Sequence, residues 1–253
     1  MSLPASLILA ELGAATLFSD EVAGRGYEFV LRRFIDLHLA SDDIFIDVGA
    51  HWGIHSLTAA TLRRGQATVL AVEAHPDNTA RLSNWVKRNQ LEGDIEIIPT
   101  AVADRVGVGR LAVDGSSMGH TMRKISVDAS SKAIDVDLTT LDRMFNDRPH
   151  LRYRRIVLKL DVEGFELEAL TGAQHLLSSG NVEAVVWEKA LFNDPAFQAP
   201  RNKSVLELLG SYGYVHYYID DPDRGVLVPL EEKDVPCNVY SLAPGFVRKR
   251  CYL

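Results

Sequence analysis

The chain has 253 residues and a net charge of −7, with 47% hydrophobic and 24% charged residues. These values are ordinary for a folded globular protein and exclude disorder as the default state. The acidic balance argues against a general nucleic-acid partner, because phosphate contacts need a basic excess.

The residue pattern predicts an N-terminal helical cap over residues 1–40 and a larger α/β domain over residues 41–253, with a mostly parallel sheet and helices on both faces. From Glu28 to Leu39, apolar residues recur at helix-like spacing. Short apolar strands then alternate with helical stretches, except between about residues 107 and 149. The predicted strands are Asp43–Val48, Thr68–Glu73, Asp94–Ile98, Val108–Val113, Ile134–Leu138, Ile156–Asp161, Val182–Glu188, Tyr214–Ile219 and Asn238–Leu242, the last as an antiparallel edge. Among the helices between them we predict Phe165–Leu177 as a single helix.

The most informative segment is Phe45–His55, F-I-D-V-G-A-H-W-G-I-H, in which a strand ends and a helix begins. Gly49 has no Cβ and leaves room for a ligand above the strand end, where open α/β sheets bind ligands. Gly53 is not directly followed by Lys and then Ser or Thr, which excludes a phosphate loop. The dinucleotide fingerprint lacks two of its three glycines, which are replaced by His51 and Ile54.

A looser pattern, D-x-G-x-x-x-G, remains and fits an S-adenosylmethionine site, which has no phosphate to hold. Such a site needs a carboxylate near the ammonium group of the cofactor, which Asp47 can supply. Glu73 ends the second strand and can accept hydrogen bonds from both ribose hydroxyls. Asp104, after the third strand, can accept from an adenine amino group. The predicted cofactor-binding residues are Asp47, Gly49, Ala50, His51, Gly53, Glu73, Ala74, Ala101, Val102 and Asp104.

The fourth strand, I-V-L-K-L-D-V-E-G, carries charges that a central parallel strand should not have. Lys159, Asp161 and Glu163 share one face by the period of two. They are costly to bury unless they are paired, and Lys159 can pair with Asp161. Because they lie where such sheets bind ligands, we interpret them as functional.

Four blocks together resemble the FkbM family of S-adenosylmethionine-dependent methyltransferases: F-I-D-V-G-A-H-W-G, V-E-A-H-P-D-N, T-T-L-D-R and L-K-L-D-V-E-G-F-E. The similarity runs from about Asp43 to Glu188. It implies a Rossmann-like methyltransferase core with a mostly parallel sheet of seven strands. It also implies O-methylation of a hydroxyl, often on a sugar or a secondary metabolite. Two positions depart from the family pattern: His51 stands where Asn is frequent, and Ala74 where Pro is common.

The resemblance also implies that Asp161 and Glu163 border the reaction centre. We predict Asp161 as the general base or the group that orients the acceptor, with Lys159 and Glu163 setting its environment. Glu188, at the end of the next strand, is a second catalytic candidate. A divalent metal held by Asp161, Glu163 and Glu188 is the less favoured alternative.

Two other functions stay open: a nucleotide-dependent oxidoreductase, which the missing glycines disfavour, and a non-catalytic binding module. The predicted partner is a small-molecule hydroxyl acceptor, and a homo-oligomer is compatible with the sequence. The two cysteines, Cys237 and Cys251, are too few for a disulfide framework and indicate a reducing, cytoplasmic location. No apolar run approaches the roughly 20 residues that cross a bilayer, so we expect no membrane partner.

Overall fold

A computed structural model of the chain describes residues 29–63, 65–112, 133–189, 195–221, 224–231 and 238–246. Most of the predicted cap, residues 1–28, and both cysteines lie outside these ranges. The strands are β1 (Ile44–Val48), β2 (Thr68–Val72), β3 (Ile95–Ile98), β4 (Ala101–Val102), β5 (Gly107–Ala112), β6 (Ala133–Thr139), β7 (Ile156–Leu160), β8 (Val182–Glu188), β9 (Val215–Asp221), β10 (Val226–Pro229) and β11 (Asn238–Leu242). The helices are α1 (Phe29–His38), α2 (Ile54–Leu62), α3 (Pro76–Arg88), α4 (Leu141–Asn146), α5 (Glu166–Thr171), α6 (Gln174–Ser178) and α7 (Pro195–Ser211), with a 3-10 turn at Pro149–Leu151.

The main sheet has the strand order β10-β9-β11-β8-β7-β1-β2-β3. Strands β3, β2, β1, β7 and β8 pair in parallel, which confirms the predicted α/β fold with a mostly parallel sheet. The described residues form eight strands in this sheet and not seven, because the chain turns back after β9 and adds β10. Strand β11 is antiparallel as predicted, but it lies between β8 and β9 and is not an edge.

A second sheet of three strands, in the order β4-β6-β5, accounts for the interruption of the regular alternation. Strands β5 and β6 are antiparallel. Because an antiparallel pair does not require a crossover helix, strands and helices do not alternate regularly here. Strand β4 is only two residues long and pairs in parallel with β6. This short strand escaped the sequence prediction, since two residues give no periodic signal.

The central strands β1 and β7 are buried along their whole length. Alternate residues enter two different cores: Ile44 and Leu158 pack on one side of the sheet, Phe45 and Val157 on the other. Helix α1 lies in the second core through Phe34, which is fully buried. The helix predicted within the cap is therefore confirmed over its described part, whereas the domain boundary at residue 40 stays a prediction.

The helix predicted over Phe165–Leu177 is wrong in one respect, because it is broken into α5 and α6. The break falls at Gly172, where a Cβ would lie 2.2 Å from the carbonyl oxygen of Ala103. Asp142 then stabilises the second piece, its carboxylate oxygens accepting hydrogen bonds from the amides of His175 (3.0 Å) and Leu176 (2.8 Å). Close packing against the neighbouring loop thus interrupts a segment whose own sequence favours one continuous helix.

Arginine side chains bind residues at the amino ends of the strands. The cleft described below lies at the opposite, carboxyl ends. Arg155 donates to the Asp43 carboxylate at 2.7 Å and to Glu183 Oε2 at 3.1 Å. Arg154 donates to Thr68 Oγ1 at 2.6 Å. Among the described residues, no helix is both long enough and apolar enough to span a bilayer.

Candidate active site

A cleft lies at the carboxyl ends of β1, β2 and β7, and its lining includes the residue that follows each of these strands: Gly49, Glu73 and Asp161. The turn after β1 is fixed by β2 and β7. Gly49 has φ 75°, and its amide and that of Ala50 each donate to the carbonyl oxygen of Val72 at 3.0 Å. A Cβ on Gly49 would lie 1.8 Å from the carbonyl oxygen of Asp161. The structure gives a reason for this glycine that was not predicted, since the missing Cβ makes room for the loop after β7. Gly49 also lines the cleft, so the predicted contact with a ligand stays a prediction.

Gly53 also serves packing within the protein. It has φ 88° at the start of α2, and a Cβ there would lie 2.2 Å from Leu82 Cδ1 of α3. Ala50 is buried as well. Both belonged to the predicted cofactor set, yet neither is among the described residues that line the cleft.

His51 lines the cleft and is held in a left-handed conformation, with φ 52°. Its ring stacks on Trp52, with ring centroids 4.5 Å apart, and Arg81 lies over the Trp52 ring at 5.1 Å. Trp52 is in turn fixed by a 3.1 Å hydrogen bond from Nε1 to Asn78 Oδ1. The aromatic contact offsets the backbone strain that a residue with a Cβ carries at positive φ.

Glu73 places its carboxylate at the end of β2, in the wall of the cleft beside Ala74. Oε2 accepts a 2.8 Å hydrogen bond from the amide of His51, and Oε1 accepts a 2.7 Å bond from the amide of His75. An ionised carboxylate has about four acceptor positions. Asn78 Nδ2 also donates to Oε1, at 3.5 Å. These bonds orient Glu73 and leave one acceptor position, on Oε2, for a ribose hydroxyl.

Asp47 is fully buried and is not among the described residues that line the cleft, contrary to the contact predicted with a cofactor ammonium. Oδ1 accepts a 3.0 Å hydrogen bond from Lys159 Nζ, and Oδ2 accepts a 2.7 Å bond from Ser56 Oγ. Burial alone would raise the pKa of Asp47, but the charges of Lys159 and His55 and these hydrogen bonds outweigh it and hold the pKa below its ordinary value.

Lys159 links this buried carboxylate to the cleft. Its Nζ lies 3.0 Å from Asp47 Oδ1 and 3.4 Å from Asp161 Oδ2, so the predicted pairing with Asp161 is present. Its side chain is only 4% exposed. Lys159 therefore acts on Asp161 from behind and does not reach a molecule in the cleft. The pairing with Asp47 was missed, although the two residues are register partners across β1 and β7.

Asp161 and Glu163 line the cleft, and Glu188 ends β8 next to them. One carboxylate oxygen from each of the three lies within 4.8 Å of the others. Such a group could share one divalent cation, but clustered acids are also common where no cation binds. The metal alternative stays a prediction.

At the third strand end, the structure brings Ala101 and Val102 to the cleft and leaves Asp104 outside its described lining. Asp104 instead pairs with Arg105 at 2.9 Å. The position of Asp104 in the sequence, six residues beyond the end of β3, did not indicate where its carboxylate points. Thr100, Leu111 and Phe165 line the cleft and were not predicted.

Glu166 was part of the L-K-L-D-V-E-G-F-E block but was not predicted as a site residue. It is 4% exposed, and its Oε1 accepts hydrogen bonds from the amides of Val162 and Gly164, each at 3.2 Å. Burial raises the pKa of Glu166 to about 7, although these amide bonds act in the other direction. The sequence offered one signal for a role of Glu166 in the site: this acid lies at the start of a helix and closely follows the charged end of β7.

The match to known proteins agrees with this geometry. The family described as the methyltransferase FkbM domain matches residues 47–215, more than half of the chain. The chain belongs to the FkbM methyltransferase family. The FkbM domain thus begins at the buried Asp47 of β1 and extends to the start of β9.

One curated relative is the hexuronic acid methyltransferase AglP of Haloferax volcanii, 29% identical over 169 residues, which are 62% of this chain and 60% of the relative. Among solved structures, an FkbM methyltransferase from Methylobacillus flagellatus has a TM-score of 0.51 at 15% identity, covering 92% of this chain and 60% of that one. An O-methyltransferase from Bacillus cereus in complex with SAH has a TM-score of 0.53 at 11% identity, covering 95% and 90%. The matches span about 60% of the length of AglP and of the M. flagellatus protein. The two structural neighbours support the methyltransferase fold.

Proposed function

We propose that this chain transfers the methyl group of S-adenosylmethionine to a hydroxyl of a small molecule, a sugar or a secondary metabolite. The charge of the cleft carries the proposal: Glu73, Asp161 and Glu163 line it, whereas no Lys or Arg is among its described lining residues. That charge suits a cationic ligand without phosphates and opposes the pyrophosphate of a dinucleotide. When bound, S-adenosylmethionine supplies a methyl group on a positively charged sulfur.

The residues of the cleft divide between the parts of such a cofactor. Glu73 accepts a hydrogen bond from a ribose hydroxyl, and Ala101 and Val102 offer an apolar surface to the adenine. The turn at Gly49 and His51 lines the cleft next to β1. Asp47 supports the site indirectly, because it holds Lys159 against Asp161.

On the acceptor side, Asp161 receives the hydrogen bond of the hydroxyl and takes up its proton. The hydroxyl oxygen would gain the methyl group while the carbon–sulfur bond of the donor would break, and S-adenosylhomocysteine would leave with that electron pair. Lys159 fixes the Asp161 carboxylate, and Glu163 borders the same space. Glu188 is the second carboxylate candidate. The metal alternative predicts loss of activity after exhaustive EDTA treatment, whereas the base proposal predicts unchanged activity.

Hexuronic acids come first as acceptors to test, since the relative AglP is named for them. A hexuronic acid offers hydroxyl oxygens and a carboxylate oxygen. Base-stable methylation of the product indicates an ether, as we propose, and base-labile methylation indicates an ester.

Calorimetric titration tests the cofactor. We expect S-adenosylhomocysteine to bind and NADH not to bind at the same concentrations. Glu73→Ala should weaken S-adenosylhomocysteine binding by about ten- to a hundredfold, because hydrogen bonds to a charged group contribute about 1.5–3 kcal/mol. Glu92→Ala is the matched control, since Glu92 is an exposed acid outside the cleft lining. Binding of NADH in place of S-adenosylhomocysteine would favour the oxidoreductase alternative.

Transfer of labelled methyl groups to the hexuronic acids then separates an enzyme from a binding module. Asp161→Asn should lower turnover by about 10²–10⁴-fold while S-adenosylhomocysteine still binds. Turnover close to wild type in this variant would refute Asp161 as the base.

A further inference from the structure

The segment Asp161–Phe165, which we call the acidic loop, connects β7 to α5 and forms one wall of the cleft. Its backbone is unusual, since Glu163 has φ 54° and Gly164 has φ 98°. A left-handed conformation costs roughly 1–2 kcal/mol for a residue with a Cβ. Contacts outside the loop must therefore hold it in this shape.

Glu166 holds the loop from within the protein. A single oxygen of its buried carboxyl group, Oε1, accepts from the amides of Val162 and Gly164 on either side of Glu163. These two bonds fix the direction of the strained peptide unit between them. Because the side chain is 4% exposed, water has little access to replace them.

Arg201 of α7 holds the same loop from the other side. Its Nε and Nη2 donate to the carbonyl oxygen of Gly164 at 3.3 and 3.0 Å, and the guanidinium also pairs with Glu168. Gly164 is thus bound through its amide by Glu166 and through its carbonyl by Arg201. A residue 37 positions along the chain thereby connects α7 to the wall of the cleft.

We infer that Glu166 and Arg201 are positioning residues that clamp the acidic loop and so place Asp161 and Glu163 for the reaction. This inference rests on the proposed function, which assigns the reaction centre to that loop. Neither residue needs to touch a bound molecule. What Glu166 supplies is a hydrogen-bond acceptor, which the amide oxygen of glutamine also offers.

Hydrogen exchange and calorimetry on the full chain test the clamp, with S-adenosylhomocysteine as the ligand. Glu166→Leu removes the acceptor, and we expect the amides of Val162 and Gly164 to exchange about tenfold faster and the affinity to fall about fivefold. Glu166→Gln keeps the acceptor and should restore both values to within about twofold of the wild type. Glu183→Leu is the control, because Glu183 is also a largely buried acid but lies at the opposite end of the sheet.

Arg201→Met provides a second route if Glu166→Leu does not fold, with an expected exchange increase of about threefold at Gly164. The inference is overturned if exchange at Val162 and Gly164 is the same in Glu166→Leu, or in Arg201→Met, as in Glu183→Leu. It is also overturned if Glu166→Gln behaves like Glu166→Leu, since the charge and not the acceptor would then matter. Failure of the wild type to bind S-adenosylhomocysteine would refute the proposed function, while the exchange rates would still decide whether the loop is clamped.

Discussion

Lys159 and Asp47 carry opposite charges in a place that solvent does not reach, with side chains 4% and 0% exposed. A single buried charge would be expensive, and each makes the other tolerable. Asp161 is the third member of the group and is partly exposed, so the pair extends from the core to the cleft. The same lysine thus serves the stability of the sheet and the orientation of the proposed base.

Removal of one partner should therefore unfold the protein more easily. We expect Lys159→Met to lower the free energy of unfolding in urea by about 3–5 kcal/mol, because Asp47 is left buried without its main counter-charge. Lys203→Met is the matched control, since Lys203 pairs with Glu207 on an exposed helix face, where the loss should stay below about 0.5 kcal/mol. Equal losses of unfolding free energy in the two variants would show that the buried pair of Lys159 and Asp47 stabilises the protein no more than an exposed ion pair does.

The raised pKa of Glu166 has a pH signature. Below pH 4.5 the group is protonated in both the folded and the unfolded chain, and its contribution to stability is complete. As pH rises from 4.5 to about 7, the unfolded chain ionises first and stability is lost, by up to about 3 kcal/mol. Glu166→Gln cannot ionise, so its stability relative to the wild type should increase over this interval and then level off.

Urea unfolding of the wild type and Glu166→Gln at matched pH values measures that difference. Other titrating groups are common to both proteins and cancel. A difference that does not change with pH would show that Glu166 titrates at its ordinary value. A difference that falls as pH rises would show a lowered pKa.

At the scale of single residues, the sequence predicted which positions carry charge at the strand ends but not where each side chain points. Glu73, Asp161 and Glu163 line the cleft as expected. Asp47 and Asp104 do not, because one is held by Lys159 and Ser56 and the other turns towards Arg105. Local sequence patterns do not show these contacts. Lys159 and Ser56 lie on other elements than Asp47, and the contact with Arg105 depends on the rotamer of Asp104.

At the scale of elements, the break between α5 and α6 is in close contact with the loop that follows β4. Gly172 faces the carbonyl of Ala103, which directly follows the cleft residues of β4. A larger residue at this point must displace either the helix or the loop after β4. The break is thus required by close packing and not by helix propensity.

We expect Gly172→Ala to lower the free energy of unfolding by about 1–3 kcal/mol, the usual cost of overpacking a close contact. Gly93→Ala is the control, because nothing lies within 4 Å of a Cβ at Gly93. Urea unfolding compares the two. An unchanged stability of Gly172→Ala would mean that the loop moves away freely.

Secondary structure was largely predictable, because buried parallel strands such as β1, β7 and β8 give short apolar runs of strand length. The predictions fail where contacts between distant parts of the chain determine the place of a strand in the sheet. Strand β10 is formed by a chain reversal against β9, and β11 is inserted between two strands that come earlier in the sequence. Neither placement can be read from the segment itself.

Over the whole molecule, one group of stabilising contacts lies at the end of the strands opposite the cleft. The arginine contacts to Asp43 and Glu183 lie at the amino ends of the strands, and the cleft lies at their carboxyl ends. Substrate specificity can therefore change through the loops at one end while the other end keeps the strands in register.

The pairing of β1 with β7 also has a consequence for the order of events during synthesis. Asp47 and its counter-ion Lys159 are 112 residues apart in the chain. A ribosome releases the first long before it makes the second, so the growing polypeptide cannot bury Asp47 as an ion pair until β7 has emerged. We therefore expect the Asp47 carboxylate to stay hydrated in the nascent N-terminal half. The cleft should form only when β7 enters the centre of the sheet.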